Sequence, residues 1–296
     1  MNNKESFKNI LIVGLGLIGG SIAKRLKDIS YSGDVFGLDR DLAVLQNAYT
    51  NSLVKNDSTT SLEGLEDILI IFCTPVLSFT EALESVLSLQ PSEQAVFTDT
   101  LSTKSQVLEL LISEYESIKN RFVLSHPIAG SDKSGIDALD KNLFTEKKNI
   151  LCNPFEANED HLKKVENFWV NALNMRVEMM TVAEHDLIFA MTSHLPHLVS
   201  YALIDSIRTS NLSVKDNSGG GLKEFLRLSG SNAEMWKDIF MLNRADLIKA
   251  LAGMQVSLNN LLELMTETKQ IPDIFSHDEM LKNELEEIKS FKEDKF

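Results

Sequence analysis

Seven short apolar runs mark the first 180 residues: Asn9–Val13, Asp34–Leu38, Asp67–Phe72, Ala95–Thr98, Arg121–Leu124, Asn149–Cys152 and Met175–Met179. Continuous runs such as DILIIF at Asp67–Phe72 fit strands buried on both faces of a parallel sheet. Between them lie stretches with helical character, among them Glu159–Asn171. Alternating strands and helices predict a doubly wound α/β sheet. Beyond Thr181 the strand signal ends. Ala183–Arg208 reads as one long helix with Leu187, Ala190, Met191, Leu195 and Leu198 near helical spacing, and Pro196 is expected to kink or open it. Ile239–Leu251 and Met254–Met265 continue as amphipathic helices, and the tail from Asp278 is a charge-rich helix with little to bury. The expected organisation is a sheet domain over residues 1–181 and an all-α domain over 182–296.

Composition narrows the function classes. A length of 296 residues suits two domains. The net charge of −14 argues against a nucleic-acid binder, because such affinity rests on Lys and Arg neutralising phosphates. Cys73 and Cys152 lie far apart in apolar runs, as buried reduced thiols do. No run of about 18 apolar residues or signal-peptide pattern is seen, so a cytoplasmic protein with no membrane partner is expected. The apolar surface of the helical half predicts a homodimer.

The chemistry begins where the first strand breaks into GLGLIGGS. Strand, glycine turn and helix are the setting in which Gly14, Gly16 and Gly19 form a dinucleotide-binding fingerprint, so the sheet is expected to be Rossmann-type. Gly14 would make the tight turn, Gly16 admit a pyrophosphate, and Gly19 let the helix pack, with the amides of Leu17 and Ile18 facing the phosphates. Asp39 ends the second strand twenty residues after Gly19, where a carboxylate accepts ribose hydroxyls and repels a 2′-phosphate. Arg40 beside it pulls the other way, and a helix cap before Leu42 is the bland reading of Asp39; the balance favours NAD. Thr74 and Pro75 close the third strand at the ligand-binding edge.

Four further stretches carry polar chemistry. HPIAGSDKSG (His126–Gly135) follows the fifth strand and is either an ordinary turn or a site presenting a catalytic base. DTLSTKS places Ser102 before a helix, as a cap or as a ligand contact. In SHLPH, His194 and His197 share a helix face; a metal pair, core histidines and a polar interface spot compete. In GGGLKEFLRL, Gly219–Gly221 free the backbone for a ligand, and Arg227 either clamps a carboxylate or pairs with Glu224. Trp236 is core or interface.

With GLGLIGGS, DTLSTKS, HPIAGSDKSG, SHLPH, GGGLKEFLRL and Met235-Trp236 assembled, nearly the whole chain resembles the prephenate and arogenate dehydrogenase family. The resemblance implies NAD-dependent oxidative decarboxylation of prephenate to 4-hydroxyphenylpyruvate. It implies His126 as the base for the 4-hydroxyl proton and Ser102 as the serine orienting that hydroxyl and the histidine. Arg227 would bind a substrate carboxylate, His194 would line the pocket, and Trp236 would reach in from a dimer partner. His197, Gly220 and Asp132 join the expected substrate site. The chain departs from the family pattern at Asp132, where a glutamate is usual, and at Glu224, where an aspartate is expected; both predict altered gating or substrate preference. With no regulatory or mutase segment read in the sequence, tyrosine inhibition is expected to act at the active site. The alternatives are an arogenate dehydrogenase that makes tyrosine directly and, from another class, a non-catalytic NAD-binding redox sensor.

Overall fold

The structure is a computed structural model that describes residues 7–58, 61–130, 138–210, 212, 214, 217–266 and 274–295. Residues up to Asn243 form one compact unit and those from Arg244 a second.

The first unit is built on a seven-stranded sheet: β1 (Asn9–Val13), β2 (Asp34–Leu38), β3 (Ile68–Phe72), β4 (Val96–Asp99), β5 (Phe122–Pro127), β6 (Lys148–Cys152) and β7 (Arg176–Met179), in the order β2-β1-β3-β4-β5-β6-β7. The first five strands are parallel. β6 runs antiparallel to β5, and β7 follows β6, so the sheet is parallel-dominated rather than parallel throughout. Alternate residues feed two apolar cores, Ile10 and Ile12 on one face, Leu11 and Val13 on the other. Chain order reverses between β1 and β3, which opens a crevice at their carboxyl ends. Helices α1 (Leu17–Asp28), α2 (Leu42–Thr50), α3 (Phe79–Ser88), α4 (Ser105–Ser113), α5 (Glu116–Lys119) and α6 (Glu159–Asn167) connect the strands.

β5 corrects the sequence reading. It does not stop at Leu124 but continues through His126 and Pro127, paired with Ile150 and Asn149 of β6. A proline is tolerated at the end of a strand, where its missing N–H costs no ladder bond. His126 therefore stands on a strand and not in a turn.

The expected helix over Ala183–Arg208 is α7 (Val182–Phe189), a π-turn at Ala190–His194, and α8 (Leu195–Thr209). The wide turn absorbs the carbonyl clash that Pro196 would impose on a regular helix. By length and apolarity alone Val182–Thr209 is long enough to cross a bilayer, contrary to the sequence reading. It nevertheless carries His185, Asp186 and His194, all buried and hydrogen-bonded within the first unit. Next come α9 (Gly220–Ser229) and α10 (Ala233–Leu242). The predicted helix Ile239–Leu251 is broken at Asn243, the C-cap of α10.

The second unit comprises α11 (Arg244–Thr266) and α12 (Ile274–Lys295). α11 buries Leu247 and Ala250 and exposes Leu258, Leu262 and Met265.

Candidate active site

The glycine turn sits at the β1–β3 crevice. Gly14 has φ +88°, and a Cβ there would lie 2.9 Å from the Cys73 carbonyl oxygen. A Cβ on Gly19 would lie 1.9 Å from the Gly14 carbonyl oxygen, so α1 reaches its strand only because that side chain is absent. At Gly16 a Cβ would meet nothing within 4 Å, and this side of the turn is open to a ligand. Helix geometry leaves the amides of Leu17 and Ile18, in the first turn of α1, without intrahelical acceptors. Thr74, at the end of β3, has a buried hydroxyl with no protein partner, and Pro75 follows it into a single 3₁₀ turn.

Asp39 is not the cap of α2; Asp41 is, accepting from the Ala43 amide at 2.9 Å. The Asp39 carboxylate accepts from the Leu15 amide at 2.7 Å and the Asp41 amide at 2.9 Å. It thus braces the glycine turn and keeps lone pairs for a further donor. Arg40 is exposed. These groups form an open cradle that presents backbone amides and a carboxylate at the β1–β3 crevice.

Beside this cradle β4 ends in Asp99, which forms a fully buried ion pair with Lys104. Lys104 Nζ also donates to the Leu101 carbonyl at 2.8 Å, and Asp99 accepts from the Ser125 amide at 2.9 Å. Ser102 lies in the turn this pair stiffens. It does not cap α4: that helix begins at Ser105, and its first amides are held by Asp186 of α7, Lys104 N at 2.9 Å and Ser105 N at 2.8 Å.

His126 does not find its partner in Ser102. Among the described residues its Nδ1 lies 2.9 Å from His185 Nε2, and His185 Nδ1 lies 2.8 Å from Asp186 Oδ1. The three rings of His126, His185 and Phe189 pack with centroids 4.6–5.1 Å apart. Burial, then the neighbouring charges of His185, Lys104 and His194, hold the His126 imidazole well below its usual range. Burial opposes ionisation of Asp186, but hydrogen bonds from His185, Ser105 and Lys104 outweigh it and lower its carboxyl.

His194 is 1% exposed, with Nδ1 3.1 Å from Asn243 Nδ2, and burial pushes it down to about 4. The same Asn243 amide donates to the Asp186 carbonyl at 2.8 Å. His197 bonds the Ser193 carbonyl through Nδ1 at 2.8 Å and stacks on Trp236 with centroids 3.6 Å apart. Within the single chain Trp236 is buried, because α10 lays it across α8.

Arg227 takes the bland option within the described contacts: it is half-exposed on α9, 3.6 Å from Glu224. Its charge nevertheless reaches His197, whose imidazole it helps to lower behind the larger effect of burial. Gly220 opens the first turn of α9 with free space around it. Asp132 lies outside the described residues. Sequence reasoning missed His185, Asp186, Asn243 and the role of Lys104, the lysine of DTLSTKS. The only sequence signal was a histidine and a carboxylate side by side near the start of an apolar helix.

The sequence profile of the prephenate dehydrogenase nucleotide-binding domain matches residues 22–178, and that of the prephenate dehydrogenase dimerization domain matches residues 181–281. Prephenate dehydrogenase of Lactococcus lactis subsp. cremoris is 26% identical over 285 residues, 94% of this chain and 78% of that protein. The crystal structure of prephenate dehydrogenase from A. aeolicus in complex with hydroxyphenyl propionate and NAD+ superposes with TM-score 0.84 at 33% identity, covering 98% of each chain. Synechocystis arogenate dehydrogenase superposes with TM-score 0.79 at 25% identity, over 97% of this chain and 100% of that one. The chain belongs to the prephenate dehydrogenase family.

Proposed function

We propose that the protein catalyses the NAD-dependent oxidative decarboxylation of prephenate to 4-hydroxyphenylpyruvate, with His126 accepting the 4-hydroxyl proton. The observation that carries this reading is an imidazole held neutral at the carboxyl edge of the sheet, on a rigid strand beside an open dinucleotide cradle. A neutral imidazole is the side chain suited to take a proton at pH 7, and such a base contributes about 100- to 10,000-fold.

Gly14, Gly16, the amides of Leu17 and Ile18, Gly19, Asp39, Arg40, Thr74 and Pro75 would hold NAD, with the orphaned Thr74 hydroxyl as one free donor. When bound, the cofactor supplies the hydride acceptor. Ser102 orients the substrate hydroxyl. Arg227 binds a carboxylate, His194 contributes to the pocket wall, and His197, Trp236, Gly220 and Asp132 complete the substrate side. Aromatisation and loss of carbon dioxide drive the reaction, so these residues have mainly to position the substrate. The reading includes a homodimer formed through residues after 181, in keeping with the family's dimerization domain. A cytoplasmic location fits two free cysteines whose thiols burial pushes up to about 12.

Purified protein mixed with prephenate or arogenate, and with NAD or NADP, should raise the absorbance of reduced nicotinamide most strongly for prephenate with NAD. Silence in all four mixtures would sink the proposal. His126→Asn should lose most of kcat with modest change in KM; near-normal turnover would remove His126 as the base.

A further inference from the structure

A histidine base needs its lone pair on the nitrogen that faces the substrate, and the neighbouring hydrogen bonds decide which nitrogen that is. With His185 neutral, as its burial favours, the chain of contacts behind His126 has one self-consistent assignment. The Asp186 carboxylate is held ionised by two backbone amides, so it only accepts. His185 Nδ1, 2.8 Å away, must then carry a proton and donate it. A neutral His185 has its lone pair at Nε2, and among the described residues the group 2.9 Å from that nitrogen is His126 Nδ1, which must donate. The His126 proton is thereby fixed on Nδ1, and Nε2 is left as the acceptor.

We propose that His185 and Asp186 are positioning residues for the reaction: they select the base-competent tautomer of His126, hold its ring, and support the imidazolium formed when it works. The inference rests on His126 acting as the base. In the proton step the substrate O–H bond breaks and a His126 Nε2–H bond forms; the pair of electrons stays on the substrate oxygen. His126 Nδ1–H remains donated to His185 and His185 Nδ1–H to Asp186, so the positive charge is stabilised without a second transfer. His185 is 0% exposed and Asp186 1%, which keeps water from competing for these bonds.

The same carboxylate caps α4 directly after the turn that carries Ser102, so base and serine are held against one anchor. The Asp186 carbonyl extends the arrangement. It can only accept, which fixes the Asn243 amide nitrogen towards it, and the second hydrogen of that nitrogen points at His194 Nδ1. His194 is therefore protonated at Nε2. Two imidazoles in one site carry opposite polarity: His126 accepts and His194 donates.

The test uses two isosteric changes. His185→Asn places an amide nitrogen near the former Nδ1, keeping the bond to Asp186 and losing the acceptor for His126. His185→Gln places an amide oxygen near the former Nε2, keeping that acceptor. Losing the orienting partner of a catalytic histidine costs up to about 10,000-fold in kcat. His185→Asn should lower kcat about 100-fold or more with KM nearly unchanged, and His185→Gln should recover to within about 10-fold of the unchanged protein. Nitrogen-15 NMR of the labelled, unsubstituted protein reads the tautomer directly and does not depend on any variant folding: His126 should be protonated at Nδ1 and His194 at Nε2. The kinetic comparison is made at one pH, because Lys104, His194 and Asp99 also face this pair. A His126 protonated at Nε2, a normal kcat in His185→Asn, or equal losses in both variants would overturn the proposal. Turnover that survives His126→Asn would instead overturn the assignment of His126 as base.

Discussion

His194 shows how far one buried side chain ties stability to pH. It is neutral in the folded protein, pushed down to about 4, whereas an unfolded histidine titrates near 6.5. Between those values the unfolded chain binds a proton that the folded chain refuses, so stability rises with pH there. The contribution is full above pH 6.5 and is lost as pH falls towards 4. A shift of this size corresponds to roughly 3 kcal/mol. His194→Asn keeps an acceptor for the Asn243 amide and removes the titration. Urea unfolding at several pH values between 6.5 and 4 should show the unsubstituted protein losing about 3 kcal/mol more than the variant. Equal losses would mean that the ring gains access to water or a proton partner in the folded state. Carboxylates common to both proteins cancel in the comparison. Lys104 and Asp99 stand under a different rule: each is buried and each neutralises the other, so either one alone would be an uncompensated charge in the core.

At the scale of elements, α7 is the piece that brings His185 and Asp186 to His126. It starts with a capping box: the Thr181 hydroxyl accepts from the Glu184 amide at 3.2 Å and the Glu184 carboxylate accepts from the Thr181 amide at 2.9 Å. Thr181→Ala should cost about 1 kcal/mol. Because the box lies at the helix entry and not in the site, Tm should fall while kcat stays within about twofold; a large loss of kcat at unchanged Tm would show that α7 is held elsewhere. The strands were legible because buried parallel strands are written as unbroken apolar runs, and DILIIF is short and rich in β-branched isoleucine, as a strand is. The glycine turn was legible for a similar reason, since Gly14 and Gly19 sit where any side chain collides. The fifth strand was ended too early, at Leu124, because proline is a breaker in most settings, and only pairing with β6 shows that Pro127 falls at the end of a ladder. Asp186 and Asn243 left no periodic trace. Neighbours such as His185 and Asp186 do not normally face one another on a helix, and what joins them is a carboxylate held by the amides of α4, far away in sequence. Arg227 was legible as a residue, but its described partner is Glu224, as the bland reading had it.

The whole molecule combines a strongly acidic surface with an apolar helix face, and the two make opposite demands. A net charge of −14 disfavours bringing two copies together, most of all at low ionic strength. Against this, Leu258, Leu262 and Met265 of α11 recur at i, i+4 and i+7 and are all exposed, a stripe that water alone would leave uncovered. The segment falls within the match to the family's dimerization domain, so the occupant argued for is a second copy of the chain. Light scattering should then give twice the 33.1 kDa of one chain, with dissociation weakened as salt screens the repulsion. Replacing both Leu258 and Leu262 by glutamate puts four new charges into the contact of a pair, and charges buried without partners are among the costliest changes an interface can suffer. That variant should run as a monomer and keep its far-ultraviolet helical signal, since both positions are exposed within the single chain. A variant that stays dimeric would move the contact to another face.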